Sequence, residues 1–323
     1  MQTLWLEEGS LRLRQDIPLP VPGLDEALIK VRLAGICATD LEMVRGYYPF
    51  KGILGHEFVG EVVQAPGHTN WIGQRVVGEI NITCGQCHNC KSGRRTHCEQ
   101  RTTLGIRDRN GAFAEYLTLP VENLHSVPAS ISDEAAVFTE PLAAALEISQ
   151  QIHIHPGDHV LVVGAGRLGQ IIAQTLTLTG CQLNVVVRHA LHQKLLAEQG
   201  ITTIIEEEVA ARQWDIVVEA TGSPSGFDLA RRALRPRGTL VLKSTYKGNM
   251  EVNFSSLVVD EICLVGSRCG PFPPALNLLQ RGLVQPARLI SERFPFARAQ
   301  SAFERAAQPG VLKVLLQFQN DPV

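Results

Sequence analysis

The chain has 323 residues, of which 45% are hydrophobic and 19% charged, and its formal net charge is -2. This length predicts about two domains with buried cores, and the composition is that of a globular chain rather than a disordered one. The near-neutral charge, the absence of signal-peptide features at the N-terminus and the absence of a long apolar run predict a cytoplasmic protein with neither nucleic acid nor membrane as partner.

The first third of the chain predicts β-rich structure. Alternating or apolar runs at residues 11–13, 27–33 and 113–119 indicate strands. Residues 130–133 fit a capping box, which would begin the helix leading to Glu140.

Residues with metal-binding side chains follow the predicted strand at 27–33. Residues 35–40 read Gly-Ile-Cys-Ala-Thr-Asp, and residues 55–57 read Gly-His-Glu. A single cysteine or histidine is more often a packing residue, but here a thiolate, an imidazole and two carboxylates occur close together, with Glu140 as a further oxygen donor. A mixed sulfur, nitrogen and oxygen set with one position open is typical of catalytic zinc.

A second candidate metal site lies in the segment 84–98. It contains four cysteines, Cys84, Cys87, Cys90 and Cys98. Their spacing lets one small loop surround a tetrahedral ion, which predicts structural zinc. The alternatives are an iron–sulfur cluster or four reduced thiols that hold nothing. Two other cysteines, Cys181 and Cys263, have apolar neighbours and are expected in the core.

An apolar run at residues 160–163 leads into a Gly-x-Gly-x-x-Gly sequence and then an apolar helix. In this context Gly164 makes a tight turn, Gly166 lets a pyrophosphate approach the backbone, and Gly169 packs the helix on the strand. The helix N-terminus offers free N–H groups to the phosphates. The alternative is a tight turn that binds nothing.

Strands and helices alternate after this turn. Apolar runs at residues 185–187, 215–220, 238–242 and 261–266 predict further strands. This alternation favours an α/β domain with a doubly wound parallel sheet.

The position after the second of these strands bears on the cofactor. NAD-binding folds usually have an acid there, about 20 residues past the glycines. This chain has Arg188 instead, and no acid between Gly169 and Glu198. A guanidinium can bind a 2′-phosphate, which predicts NADP rather than NAD. The alternative is that Arg188 stacks on the adenine of NAD.

The ordered motifs resemble the zinc-dependent medium-chain alcohol dehydrogenases, in particular the sorbitol, threonine and butanediol dehydrogenase branch. The matching segments are residues 35–40, 55–57, 84–98, 140–141, 164–169, 219–222 and 312–316. The resemblance spans nearly the whole chain. It implies a GroES-like β-rich catalytic domain at residues 1–141 and 270–323, carrying the zinc lobe 84–98, and a Rossmann dinucleotide-binding domain at 142–269.

The resemblance also implies roles for the residues around the catalytic zinc. Cys37 and His56 would bind the ion directly. Glu57 would be a ligand or lie just behind one, and Glu140 would take the third ligand position. Asp40 would hold the ring of His56 and set its tautomer.

Thr39 would supply the hydroxyl that receives the substrate proton. The alternative is a buried hydroxyl that only satisfies the backbone. The implied cofactor-binding residues are Gly164, Gly166, Arg167, Leu168, Gly169, Arg188, Thr221 and Lys313. Of these, Lys313 would lie near the cofactor pyrophosphate.

The prediction is therefore an oxidoreductase with two Zn²⁺ per chain that transfers a hydride between NADP or NAD and a secondary alcohol or polyol. Zinc would polarise the substrate oxygen, and the nicotinamide would exchange the hydride. By resemblance the assembly is a homodimer or homotetramer. Three alternatives are a zinc-independent reductase of the same superfamily, a non-catalytic NADP-binding sensor, and a structural zinc protein with an incidental glycine turn.

Overall fold

The computed structural model describes residues 1–246 and 249–318. The chain folds into two compact units, Met1–Glu140 with Leu276–Val323, and Pro141–Ala275. Both boundaries fall inside helices, whereas the boundaries expected from sequence are residues 141 and 270.

Short strands dominate the first part of the chain, and longer helices alternate with strands in the second. The strands are β1 (Thr3–Glu7), β2 (Ser10–Arg14), β3 (Glu26–Ile36), β4 (Gly52–Ile53), β5 (Glu57–Gln64), β6 (Arg75–Gly78), β7 (Asn81–Ile82), β8 (Thr102–Leu104), β9 (Asp108–Arg109), β10 (Tyr116–Pro120), β11 (Leu124–Ser126), β12 (His159–Val163), β13 (Gln182–Val186), β14 (Thr202–Ile204), β15 (Trp214–Glu219), β16 (Leu234–Leu242), β17 (Cys263–Gly266), β18 (Ile290–Pro295) and β19 (Lys313–Gln317). The helices are α1 (Ala38–Val44), α2 (His88–Lys91), α3 (Asp133–Ala136), α4 (Thr139–Gln151), α5 (Arg167–Thr177), α6 (Ala190–Ala197), α7 (Pro224–Ala233), α8 (Phe254–Val259), α9 (Phe272–Gln280) and α10 (Ala299–Ala306).

The main sheet of the first unit is organised around β3. Its strand order is β11-β6-β5-β3-β19-β18, and β10 also pairs with β3. Antiparallel pairing puts Gly35 of β3 opposite Glu57 of β5, and Ile36 opposite Val314 of β19. The ends of three strands therefore meet where the candidate catalytic residues lie.

The second unit contains a six-stranded sheet with the order β14-β13-β12-β15-β16-β17, and its five pairings are all parallel. This confirms the predicted doubly wound sheet. The strand order reverses between β12 and β15, and in such sheets the crevice for a ligand opens at the carboxyl ends of the strands on either side of that point. Strand β14 was missed in the sequence because three residues carry too little periodicity to indicate a strand.

The core of this sheet is apolar. Leu161, Val217 and Leu240 are fully buried from three adjacent strands, and Phe227 of α7 packs against them. Helix α7 begins where sequence rules expect it, with Ser223 as N-cap accepting from Gly226 N at 3.1 Å and proline in its first turn.

Two local predictions are wrong. Cys263 is exposed because β17 is an edge strand of the sheet, and Cys181 is only partly buried. The capping residue of α3 is Ser132, which accepts from Ala135 N at 3.3 Å, rather than Ser130.

Among the described residues, none of the helices is both long enough and apolar enough to cross a membrane.

A charged cluster ties α7 to the end of α8. Arg212 donates to both carboxylate oxygens of Asp260, at 2.8 and 2.9 Å, and Arg231 of α7 donates to the same carboxylate. These hydrogen bonds lower the pKa of Asp260 to about 2. The cluster therefore stabilises the unit most when Asp260 is ionised.

Candidate active site and metal centres

The four cysteines at residues 84–98 converge on one point. Their sulfur atoms all lie within 4.8 Å of one another, with Sγ–Sγ distances of 3.5 Å for Cys87–Cys90, 3.5 Å for Cys84–Cys98 and 3.9 Å for Cys87–Cys98. A tetrahedral zinc with Zn–S bonds of about 2.3 Å requires sulfur separations of about 3.8 Å. The arrangement is therefore close to that of a closed zinc site.

The local backbone prepares these thiols for a cation. Cys87 is the N-cap of helix α2, and backbone N–H groups lower the pKa of its thiol to about 6. Burial and the hydrogen bonds of neighbouring thiols raise the pKa of Cys90 to about 12. Four thiolates at these separations would repel one another, and a divalent cation would offset that repulsion and hold all four ionised.

The second group joins Cys37, His56 and Glu57. Their ligand atoms lie within 4.8 Å of one another, and His56 and Glu57 are almost fully buried. Glu57 Oε1 is buried without a hydrogen-bond partner among the described residues. A buried carboxylate oxygen left unpaired is costly, so a cation at this point is what the surroundings of Glu57 favour.

Asp40 holds the first two of these residues in place. It is fully buried in the first turn of α1, where Oδ2 accepts from Cys37 N at 2.8 Å and Oδ1 accepts from Gly55 N at 3.3 Å. Its Oδ1 lies 3.4 Å from His56 Nδ1, a close electrostatic contact without hydrogen-bond geometry. Burial lowers the pKa of His56, but the charges of Asp40 and Cys37 outweigh it and raise that pKa well above its ordinary value.

Thr39 and Glu140 occupy different positions relative to this group. The Thr39 hydroxyl is partly buried and lies 3.8 Å from Cys37 Sγ. Glu140, in the first turn of α4, is partly buried and lies outside the set whose ligand atoms come together. The structure thus assembles Cys37, His56 and Glu57, while a ligand role for Glu140 stays a prediction.

Lys313 has a buried protein partner that the sequence did not indicate. It begins β19, is 2% exposed, and donates from Nζ to Glu57 Oε2, which is itself 1% exposed. Its predicted place near the cofactor pyrophosphate stays a prediction. Sequence reasoning missed this ion pair because the two residues are 256 positions apart and meet only through the pairing of β3 with both β5 and β19.

The glycine turn after β12 fits a pyrophosphate. Gly164 has φ +109°, and a side chain at Gly169 would place its Cβ 1.9 Å from Gly164 O. Gly166 is the N-cap of α5, makes no side-chain cap, and has open space where a Cβ would lie. The first turn of α5 therefore presents backbone N–H groups at the glycine turn, where an anion can approach them.

The loop after β15 packs against this turn. Glu219 is fully buried, and its Oε1 accepts from Thr221 N at 2.6 Å and from Gly222 N at 3.1 Å. Its Oε2 accepts from Tyr246 OH at 2.6 Å, and burial together with the carboxylate raises the pKa of Tyr246. A Cβ at Gly164 would lie 2.9 Å from Thr221 Cγ2. Sequence reasoning matched Glu219 to a motif but found no partner for it, because Tyr246 lies 27 residues away.

Arg188 follows β13 by two residues and is 61% exposed. Its Nη2 lies 3.0 Å from Glu206 Oε2. Glu206 begins a 3₁₀ turn at Glu206–Glu208, directly after β14. No sequence signal marked Glu206, because its place beside Arg188 depends on the strand β14 that was missed.

Comparison with known proteins gives one consistent result. Residues 23–129 match the alcohol dehydrogenase GroES-like domain, and residues 168–281 match the zinc-binding dehydrogenase domain. Sorbitol dehydrogenase of Halalkalibacterium halodurans is 31% identical over an alignment of 325 positions, gaps included, which covers 94% of each chain.

Two solved structures are similar over nearly the whole chain. A zinc-binding dehydrogenase from Sinorhizobium meliloti 1021 bound to NADP is 29% identical, with a TM-score of 0.90 and coverage of 98% of each chain. A short chain alcohol dehydrogenase from E. coli CFT073 complexed with NADH is 27% identical, with a TM-score of 0.89 and coverage of 98% of this chain and 99% of that one.

Proposed function

This chain belongs to the zinc-binding alcohol dehydrogenases with a GroES-like domain, and from that premise we propose that it interconverts a secondary alcohol or polyol and its carbonyl product. It is an NAD(P)-dependent oxidoreductase of alcohols. The main observation in support of an alcohol substrate is that the ligand atoms of Cys37, His56 and Glu57 lie close together, beside the Thr39 hydroxyl. The relative that acts on sorbitol supports a polyol.

When bound, zinc would supply Lewis-acid polarisation of the substrate oxygen, and the nicotinamide would exchange the hydride. Cys37 and His56 would hold the ion, and Asp40 would orient both through its contacts with Cys37 N and the His56 ring. Thr39 would relay the proton that the alcohol releases, accepting it at Oγ1 while its own hydroxyl proton passes on toward solvent, and the relay would run backward in the reduction. Lys313 would keep one oxygen of Glu57 occupied, so that only Oε1 faces an ion.

We assign two zinc ions to each chain, one held by the four cysteines and one by the Cys37 group, with Glu140 completing the second set. Metal analysis of the purified protein tests the number, for which the expected value is two. Cys37→Ser should lower it to one, and Glu140→Ala should weaken retention of the same ion. A value of two in the Cys37→Ser protein would contradict this assignment.

We further propose NADP as the preferred cofactor, with Arg188 binding its 2′-phosphate. Support comes from the place of Arg188 just after β13 and from its exposure. The two similar structures hold NADP in one case and NADH in the other, so they do not favour either cofactor. The ratio of kcat/KM for NADP to that for NAD decides between them, and a ratio below one would contradict the proposal.

We propose a homodimer or homotetramer as the assembly. Edge strand β17 and the preceding helix α8 carry exposed apolar side chains, with Phe254 at 69%, Val258 at 75% and Val259 at 80% exposure. Exposed apolar patches on globular proteins commonly mark interaction surfaces. Light scattering at defined concentration measures the mass of the assembly.

The cytoplasmic location and the absence of a nucleic-acid partner stay predictions from the sequence.

The reaction itself is tested with polyols, diols, amino alcohols and aromatic alcohols, each assayed with both cofactors. Turnover of a secondary alcohol or polyol that Cys37→Ser abolishes is the expected result. Turnover that survives this substitution would favour a zinc-independent reductase. Cofactor binding without turnover of any substrate would favour a sensor.

A further inference from the structure

We propose that Glu206 is a specificity-determining residue, which limits the use of NADP by competing with the 2′-phosphate for Arg188. This inference rests on the proposed contact of Arg188 with that phosphate. The Glu206 carboxylate would oppose the effect of Arg188, so the preference between NADP and NAD would depend on both residues and not on Arg188 alone.

The sheet brings these two residues together at the edge where nucleotides bind. Strands β13 and β14 are parallel neighbours, with Val186 opposite Ile204, and Val187 N donates to Ile204 O at 3.0 Å. Arg188 and Glu206 leave these strands two positions beyond that register pair, at their carboxyl ends. The carboxyl edge of a doubly wound sheet is the side that receives a dinucleotide.

The turn that presents Glu206 is held by its own hydrogen bonds. Glu208 Oε2 accepts from Ile205 N at 3.1 Å, and Glu208 N donates to Ile205 O at 3.1 Å. Glu206 therefore projects from a closed turn, with its Oε2 3.0 Å from Arg188 Nη2. Glu207, in the same turn, is exposed and supplies a matched acid for comparison.

The charges act differently on the two cofactors. NAD has no 2′-phosphate, so the ion pair can remain intact when NAD binds. A 2′-phosphate needs the Arg188 donors that Glu206 engages, and its own negative charge meets the Glu206 carboxylate at close range. Arg188 is 61% exposed and Glu206 is 37% exposed. Exposed pairs of this kind change an equilibrium by about fivefold at most, so a phosphate can displace the carboxylate but loses affinity in doing so.

The test measures binding of two small probes by calorimetry at low salt, adenosine 2′,5′-bisphosphate and 5′-AMP. For Glu206→Gln we expect adenosine 2′,5′-bisphosphate to bind about three- to fivefold more tightly, and 5′-AMP to change by less than about twofold. The control Glu207→Gln should change both by less than about twofold. In the double variant Arg188→Gln/Glu206→Gln the gain should disappear, because the competition acts through Arg188.

Three results would overturn the inference: no change in Glu206→Gln, an equal change for both probes, or weaker binding of 5′-AMP. The last would mean that Glu206 itself holds the adenosine ribose. The proposed NADP preference is read separately, from the wild-type kcat/KM ratio. A wild type that prefers NAD, together with a selective gain in Glu206→Gln, would refute that preference and leave the role of Glu206 standing.

Discussion

The buried pair of Lys313 and Glu57 offers the sharpest test of how the metal group is supported. The two side chains are 2% and 1% exposed, and Nζ donates to Oε2. Replacing Lys313 with Met keeps an unbranched chain of similar length and removes only the charge and the donor. Glu57 Oε2 would then lose its protein partner, and Oε1 has no protein partner among the described residues.

Breaking a buried ion pair by removing one partner typically costs about 3–5 kcal/mol, because the remaining charge stays desolvated. Lys313 Nζ also lies 5.4 Å from the centre of the Phe138 ring, and loss of that contact adds about 0.5–2 kcal/mol. We therefore expect Lys313→Met to lower the free energy of unfolding by about 3.5–7 kcal/mol. The double variant Glu57→Gln/Lys313→Met should recover at least half of that loss, because no charge is left buried.

Urea unfolding followed by fluorescence measures these differences, with zinc content determined on the same samples. Equal zinc content at the start of each titration serves as the control, because loss of the ion would destabilise the protein by a separate route. A loss below about 1 kcal/mol for Lys313→Met would refute the reasoning, since that is the range of exposed pairs. No recovery in the double variant would show that Lys313 acts through packing instead of charge.

Three further predictions concern the metals, the proton and acid stability. Cys90→Ser should lose the zinc of the four-cysteine loop and unfold at a lower temperature. Cys37→Ser should lose the zinc of the Cys37 group, keep its melting temperature within a few degrees and show no turnover. Calorimetry and metal analysis distinguish the two variants. Thr39→Ala should lower kcat by about 10²- to 10⁴-fold with zinc content unchanged, and Thr39→Ser should be mild; a loss well under tenfold in the alanine variant would mean that another group carries the proton. Asp260 has a folded-state pKa of about 2 against an ordinary 3.8, so its contribution to stability should be complete above about pH 4 and lost as the pH falls toward 2. In Asp260→Asn, stability should fall less steeply with pH in that window, the remaining dependence coming from other carboxylates with lowered pKa values such as Asp16 and Asp215. An unchanged curve would contradict the role of the cluster.

Features carried by contiguous residues could be predicted from the sequence. The spacing of the four cysteines, the glycine turn after a buried apolar run and the alternation of strands and helices each indicate a local geometry, because steric limits and ligand distances act over a few residues. The turn at Gly164–Gly169 is one such case, since a Cβ at Gly169 would clash with Gly164 O. The parallel sheet follows from the same local patterns and was confirmed by its strand order.

Relations between distant segments were decided by the tertiary structure. Lys313 meets Glu57 because β19 pairs with β3 next to β5, and nothing near either residue in the sequence encodes that register. Arg188 meets Glu206 because β13 and β14 are neighbours, and Cys263 is exposed because β17 has a strand on one side only. Short-range sequence patterns specify which element forms, whereas the partner of a charge depends on which elements pack together. The buried partner of Glu57 and the charge balance beside Arg188 therefore required the fold.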